Sequence, residues 1–583
     1  MPWKSIRLDK NFFIKDGVKM QKKKITFITE TFVLFIMLLL TGFYTHKDSP
    51  GIEQDNGWSM VPKILARIKA PTFPDKDYNV KDFGAVADDE TDSRPAIQKA
   101  VETCSAEGGG MVIIPPGNYK VNGPIHLRSN VNLHLQKGAY LKFSVDPDDY
   151  LPTVLVRWEG TRCYNYSPLV YAYRQENIAI TGEGTLDGQV KEFWQLWKLI
   201  HDSDKIILRN MGKHLVPVEQ RQFGKGHFLR PTLIEPYECK NVLIEGVTVK
   251  NSPFWTIHPV LCENVIVRKV TVEKGMSNDD GCDPESCKDV LIEDCSFFTN
   301  DDNIAIKAGR DSDAWHENGG KPSENIIIRN NKFIESEAGA MTIGSEMSGS
   351  VKNVFAENNY VHKAGQAFYI KSNTDRGGAV ENVYVRNVSI DSCLNQAALI
   401  QLDYKGAAAG KHPSEFNNLY FEDVKCNFAK NGMRIFGLPS KTISDITFKN
   451  FEIENAEKST EVYYTQNLVF NNFAVKKITA VQKEYLGSNQ SSEEKEGRLY
   501  WKDLPATVQK TFLSIINSVI DTKKSVSEKA RQDVKDAFAS DPIVTEIEKL
   551  IIKGKVIYRM EKDFGDNDIK VQIAEDGGLI QKN

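Results

Sequence analysis

Along the middle of the chain, short runs of alternating apolar residues recur, each opened by asparagine or aspartate and closed by a polar turn. The openings fall at Asn241, Asn264, Asp289, Asn325, Asn353, Asn382, Asn418, Asp445 and Asn467, 22 to 36 residues apart. Within each run Val, Ile, Leu or Phe take alternate positions, the period of a strand, and no helical period intervenes. Strands repeating at this interval predict a solenoid. One coil cannot bury its inward side chains alone. Coils stacked about 4.8 Å apart pair their backbones and close a continuous core. Asn or Asp suits the opening turn, because it tolerates left-handed backbone and can bond its own chain. Extra length in the longer coils falls in loops, where function concentrates.

The flanks read differently. Upstream, the stretch from Tyr78, the amphipathic run Pro95 to Cys104, and Ile113 to Tyr119 after three glycines predict a strand, a helix and a strand. The helix is placed as a cap on the open end of the solenoid, which otherwise exposes core and unpaired edge. Residues 481–497 form a polar linker, including the stretch Gly487 to Gly497. Beyond it, Leu504–Thr522 and Ser525–Ile552 are expected as helices, the second interrupted near Pro542. Lys555–Met560, Ile569–Ile573 and Gly578–Ile580 are expected as strands, giving a small α+β C-terminal domain over 498–583 with no catalytic constellation.

At the other end, Lys22, Lys23 and Lys24 precede an apolar run from Phe32 to Phe43. That is the pattern of a secretory signal within residues 1–47, with Met20 as the start. An uncleaved anchor is the alternative. The reading expects an exported protein, periplasmic or extracellular, without stable membrane insertion after signal removal. A net charge of −4 over 583 residues gives no reason to expect nucleic acid. Nine cysteines are too sparse for a disulfide scaffold. Cys239, Cys262 and Cys287 each precede a coil opening by two residues and are expected to stack, reduced, as an internal ladder. No CxxC or His-rich cluster suggests a metal, so no metal or cofactor is expected. A solenoid capped at both ends needs no partner copy, and a monomer is expected.

The chemistry concentrates in Asn278-Asp279-Asp280-Gly281-Cys282-Asp283 and Asp301-Asp302-Asn303-Ile304-Ala305-Ile306-Lys307. Asp280 and Asp302 are 22 residues apart, about one coil, so Asp280 is expected beside Asp301 or Asp302. Clustered carboxylates repel, which holds one protonated while another stays ionised. An acid and a base for glycoside hydrolysis need that arrangement. On spacing alone a calcium site or solvated turns remain open.

These two segments resemble the Asn-x-Asp-Gly-x-Asp and Asp-Asp-x-Ile-Ala-Ile-Lys motifs of glycoside hydrolase family 28, the polygalacturonases. Ser252 to Pro259 and Ile343 to Gly349 resemble segments of bacterial members, and Asp82-Phe-Gly-Ala-Val-Ala-Asp88 the start of the pectin-lyase-like superfamily. The resemblance implies an all-β fold, a right-handed, single-stranded parallel β-helix over 71–480. It implies an inverting, metal-independent hydrolase of galacturonosyl linkages in polygalacturonan or rhamnogalacturonan, exo-acting in one version. Asp301 would be the general acid, with Asp280 and Asp302 activating water. Adjacent coils put the carboxylates about 5 Å apart, nearer the spacing of retaining enzymes. His258, Lys307, Arg310, Glu346, Tyr369, Lys371 and Arg376 are the expected substrate contacts. Two positions depart from the family. Its Gly-His-Gly reads Glu337-Ala338-Gly339, and its Arg-Ile-Lys reads Tyr369-Ile370-Lys371. The tail resembles PepSY-like modules through Trp501 to Pro505, Gly554 to Tyr558 and Val571 to Gly577. The rival readings are a calcium-dependent β-helix lyase, a non-catalytic glycan-binding β-helix, and hydrolysis of another uronic-acid or deoxy-sugar linkage.

Overall fold

The computed structural model describes residues 57–316, 320–406, 410–477, 494–495, 499–524, 526–542, 544, 546–552, 555–562 and 568–582. The segments expected as a secretory signal and, for the most part, as a linker lie outside these residues.

From Asp77 to Lys477 the chain winds into stacked parallel coils. Val242 pairs with Val265, Val265 with Val290, Val290 with Ile326, Ile326 with Val354 and Val354 with Val383. These are the inward positions marked by the alternation, and all are buried. The fold is the expected parallel β-helix. All nine coil openers have φ between 52° and 60°, the left-handed conformation anticipated for Asn and Asp. The side-chain amides of the asparagines among them donate to the equivalent position of the preceding coil. Asn264 Nδ2 donates to Asn241 Oδ1 at 2.7 Å, Asn353 to Asn325 at 3.1 Å and Asn418 to Asn382 at 2.6 Å. The cysteine ladder is present too: Cys239 N donates to Cys262 Sγ, and Cys262 N to Cys287 Sγ, each at 3.4 Å. All nine cysteines are buried and free.

Six successive coils carry an apolar residue at an outward position: Leu243, Ile266, Leu291, Ile327, Phe355 and Tyr384. Helix α1 (Met60–Arg67) covers this stripe, with Trp58, Val61, Ile64 and Ile68 packed on it. No helix was expected there. Each aliphatic side chain so buried contributes about 1.5–3 kcal/mol. Helix α2 (Arg94–Ala106) buries Ile97, Ala100, Val101 and Cys104 and occupies the expected capping position.

Excursions from the stack supply the remaining elements. A hairpin, Val154–Trp158 with Thr161–Asn165, is joined by Gln222–Phe223. It rests on the coils through a pile of rings: Trp158 stacks on Phe254 at 4.9 Å, and Phe254 on Trp255 at 5.1 Å. Helices α3 (Asp202–Lys213) and α4 (Asp311–His316) pack against this hairpin.

The C-terminal region contains α5 (Ala506–Asp521), α6 (Glu528–Ser540) and an antiparallel sheet. Here the expectation is corrected. The second helix ends at Ser540, and Glu546–Ile552 forms a hairpin with Lys555–Lys562. Pro542 disfavours helical backbone in the residue before it, and the β-branched Ile551-Ile552 suits a strand. Glu494 and Lys495, expected within the linker, pair with Ile551 and Leu550. No described helix is long and apolar enough to cross a membrane.

Candidate active site

Parallel pairing of Cys282 with Ile304 places Asp280 and Asp302 at equivalent positions of adjacent coils. One oxygen from each of Asp280, Asp301 and Asp302 lies within 4.8 Å of the others. The three are held differently. Asp302 Oδ1 accepts from Gly339 N at 2.7 Å and Thr342 Oγ1 at 2.8 Å, and Oδ2 accepts from Lys371 Nζ at 2.8 Å. Asp280 Oδ2 lies 3.5 Å from Lys307 Nζ. Asp302 is 1% and Asp280 2% exposed. Asp301 is only half-buried; its Oδ2 accepts from Asn278 Nδ2 at 3.3 Å and its Oδ1 from Asp302 N at 3.0 Å. Behind it, Asp279 Oδ1 accepts from Asp301 N at 3.0 Å and Asn300 N at 2.8 Å.

Charge is divided across the site. Burial, then Asp283 and Asp301, push the Asp280 carboxyl well above its ordinary value. Burial lifts Asp283 to about 7, against the pull of Lys307 and His258. Glu346 goes the other way: burial is outweighed by Lys307, Arg310 and Arg376, which hold it well below the carboxylate range. Burial, then Arg376 and Arg209, lower the Arg310 guanidinium to about 10. The shifts therefore oppose one another across the cluster: protonation is favoured on Asp280 and Asp283 and disfavoured on Glu346.

The carboxylate trio faces a cavity of about 340 Å³. Lys307, Arg310, Glu346, Lys371 and Arg376 line it with the three aspartates. Two expected contacts do not. His258 is fully buried, 2.8 Å from Glu285 Oε2 and 3.3 Å from Glu235 Oε2. It lies beneath Trp255, whose ring carries Lys307 Nζ at 4.1 Å on the cavity side. Tyr369 packs under the Lys371 ammonium at 4.4 Å, and its hydroxyl accepts from Gln401 Nε2 at 3.2 Å. The sequence reading missed the outer wall: Glu159 from the hairpin turn, Arg209 and Lys213 from α3, Trp315 from α4, and Tyr404, Lys405 and His412. None belongs to the repeat, so no periodicity marked them. Among the described residues the trio is also the one group close enough to hold a metal ion. Lys371 and Lys307 already stand at 2.8 and 3.5 Å from its oxygens and would compete with a cation.

A family model described as glycosyl hydrolases family 28 matches residues 221–474, and one described as rhamnogalacturonase A/epimerase, pectate lyase-like, matches 78–134. The crystal structure of a hyperthermoactive exopolygalacturonase from Thermotoga maritima is 40% identical, with a TM-score of 0.67 over 71% of this chain and 96% of that one. The chain belongs to glycoside hydrolase family 28. A probable polygalacturonase of Vitis vinifera is 29% identical over 403 residues, 66% of this chain and 75% of its own length. An exo-poly-alpha-D-galacturonosidase of Dickeya chrysanthemi is 24% identical over 449 residues, 71% of this chain and 70% of its own.

Family membership makes this chain a glycoside hydrolase and throws its two departures into relief. At Ala338-Gly339, a Cβ on Gly339 would fall 2.0 Å from Thr342 Oγ1 and 3.0 Å from Asp302 Oδ1. A side chain there would collide with the Thr342 hydroxyl, which together with the Gly339 N–H holds Asp302 Oδ1. Tyr369, at the position where the resemblance placed an arginine, supplies no charge, and further cations enter from outside the coils through Arg209, Lys213 and Lys405.

Proposed function

We propose that this family 28 hydrolase removes galacturonosyl residues from the ends of pectic chains with inversion. The carrying observation is the contrast between half-buried Asp301 and the buried, tethered pair Asp280 and Asp302. Asp301, open to the cavity, gives its proton to the glycosidic oxygen as the bond from that oxygen to the anomeric carbon breaks. A water molecule bonds that carbon from the opposite face and passes its proton to Asp302, with Asp280 orienting the water. Both oxygens of Asp302 are already engaged, by Gly339, Thr342 and Lys371. That favours a fixed base over a carboxylate that attacks the sugar itself, despite the close spacing of the trio.

End-wise action is supported by the cavity walls. The hairpin turn, α3, α4 and the residues around Tyr404 and His412 enclose the trio, which suits a chain end better than a through-running furrow. Lys213 and Lys405 give the pocket exposed ammonium groups for uronate carboxylates. The names of the Thermotoga and Dickeya relatives agree with this mode. Polymeric pectin and the basic, then apolar, leader support action outside the cytoplasm.

The test uses polygalacturonan, rhamnogalacturonan I and short oligogalacturonides, with and without EDTA. Chromatography should show saturated monomer or dimer from the first time points, unaffected by EDTA, and proton NMR should show the β-anomer first. Early mid-length oligomers would overturn end-wise action, and an initial α-anomer would overturn inversion. Ultraviolet-absorbing, EDTA-sensitive products would replace hydrolysis with elimination.

A further inference from the structure

Among its described residues the C-terminal α+β region carries no catalytic cluster, yet it grips the N-terminal turn of α3. Lys562, 1% exposed, places its Nζ 3.6 Å from Asp202 Oδ2, and Ser203 Oγ donates to Asp541 Oδ2. The other end of α3 brings Arg209 and Lys213 to the cavity. A twelve-residue helix spans about 18 Å at 1.5 Å per residue, so a constraint on its first turn is felt at its last. Its lateral packing leaves little play. A Cβ on Gly212 would meet Thr161 Cγ2 at 2.7 Å, so the helix cannot roll on the hairpin without separating from it.

Charge follows the same route. Asp202 pairs with Lys562 and with Lys205, and Lys205, Arg209 and Arg310 together act on half-buried Glu159. Against burial, which raises it, Arg209, Lys205 and Arg310 lower Glu159 to about 2. Arg310 Nη1 then lies 3.0 Å from Glu346 Oε1 inside the cavity. Ion pairs thus tie the C-terminal sheet to Asp202 and Lys205 at the start of α3, and a second set ties Arg209 further along α3 through Glu159 and Arg310 to Glu346 in the cavity wall.

We infer that the C-terminal region is a positioning element of the active site: by anchoring α3 it holds Arg209 and Lys213 where a uronate carboxylate binds. It sets affinity for the acidic chain end and leaves the chemical step alone. Its Lys562 and Asp202 are positioning residues, not catalytic ones.

The inference rests on the proposed uronate substrate only for its kinetic arm. In the full-length chain, Lys562→Met and Asp202→Asn should each raise KM for trigalacturonate five- to tenfold with kcat within twofold. Lys562→Arg, which keeps the charge, should restore KM. In a Lys213→Ala background the effect of Lys562→Met should shrink, whereas a merely structural loss would persist undiminished. Hydrogen exchange supplies the arm free of substrate: amides of residues 206–213 should exchange faster in both variants, with 280–307 unchanged. Unchanged KM, an undiminished effect in the Lys213→Ala background, or unchanged exchange in 206–213 overturns the inference. A wild type that turns over no oligogalacturonide overturns the substrate reading, and the exchange arm still decides this one.

Discussion

Lys371 Nζ donates to Asp302 Oδ2 at 2.8 Å across 69 residues of sequence, and the same ammonium sits 4.4 Å from the centre of the Tyr369 ring. The lysine fixes one oxygen of the proposed base while Gly339 and Thr342 fix the other. Both partners are buried, so Lys371→Met leaves a carboxylate without its counter-charge and costs more than a surface pair would. Turnover on oligogalacturonides should fall about 10²- to 10³-fold, roughly 3–4 kcal/mol of barrier. KM should change little, because this lysine is engaged with Asp302. Steady-state kinetics beside circular dichroism checks both points. A KM effect alone would mean that Lys371 holds substrate.

The acid and the base separate by leaving group. Asp301→Asn should lower kcat by about 10²- to 10⁴-fold on natural linkages, the range for general acid catalysis. An aryl galacturonide with an acidic phenol needs little protonation and should recover most of that loss. Asp302→Asn should be equally slow on both substrates, because water still lacks its base. Equal rescue of both variants would remove the role assigned to Asp301.

Much of this arrangement was legible before the structure. The coil openers fixed the register, and the 22-residue spacing of Asp280 and Asp302 matched the pairing of Cys282 with Ile304. What the repeat could not give was direction beyond the paired strands. His258 and Tyr369 each follow an inward residue of the same column, Ile257 or Phe368, and their side chains pack against protein rather than reach the cavity. The outer wall was invisible for another reason. Glu159, Arg209 and Trp315 come from excursions of unrelated length, brought together by the Trp158–Phe254–Trp255 pile and the packing around Gly212. Those are tertiary contacts with no periodic signature.

His258 makes stability depend on pH. Against burial, which lowers it, Glu235 and Glu285 raise the imidazolium to about 9, above its ordinary 6.5. A raised folded value contributes stability fully below about pH 6.5 and loses it as pH rises through 9. By linkage the effect is about 3 kcal/mol at most. The melting temperature of the wild type should therefore fall between pH 7 and 9.5 more steeply than that of His258→Gln. Parallel curves in calorimetry would show that His258 is not charged between its two glutamates.

Gly339 tests whether the backbone beneath the base matters as much as the side chains. Its N–H donates to Asp302 Oδ1 at 2.7 Å, and Thr342 Oγ1 reaches the same oxygen at 2.8 Å. A methyl group at residue 339 would sit 2.0 Å from that hydroxyl, closer than such atoms approach, and 3.0 Å from the Tyr369 Cβ, a tight contact. Gly339→Ala must therefore displace Thr342 or the strand, and Asp302 loses at least one of its two donors on that side. A buried acceptor left without a partner costs about 1–3 kcal/mol, more when charged. Turnover should drop at least 10²-fold, and Thr342→Val, which removes one donor without a clash, should fall about tenfold. If Gly339→Ala proves no worse than Thr342→Val, the strand has absorbed the methyl group, and the glycine is kept for folding rather than for holding Asp302 in place.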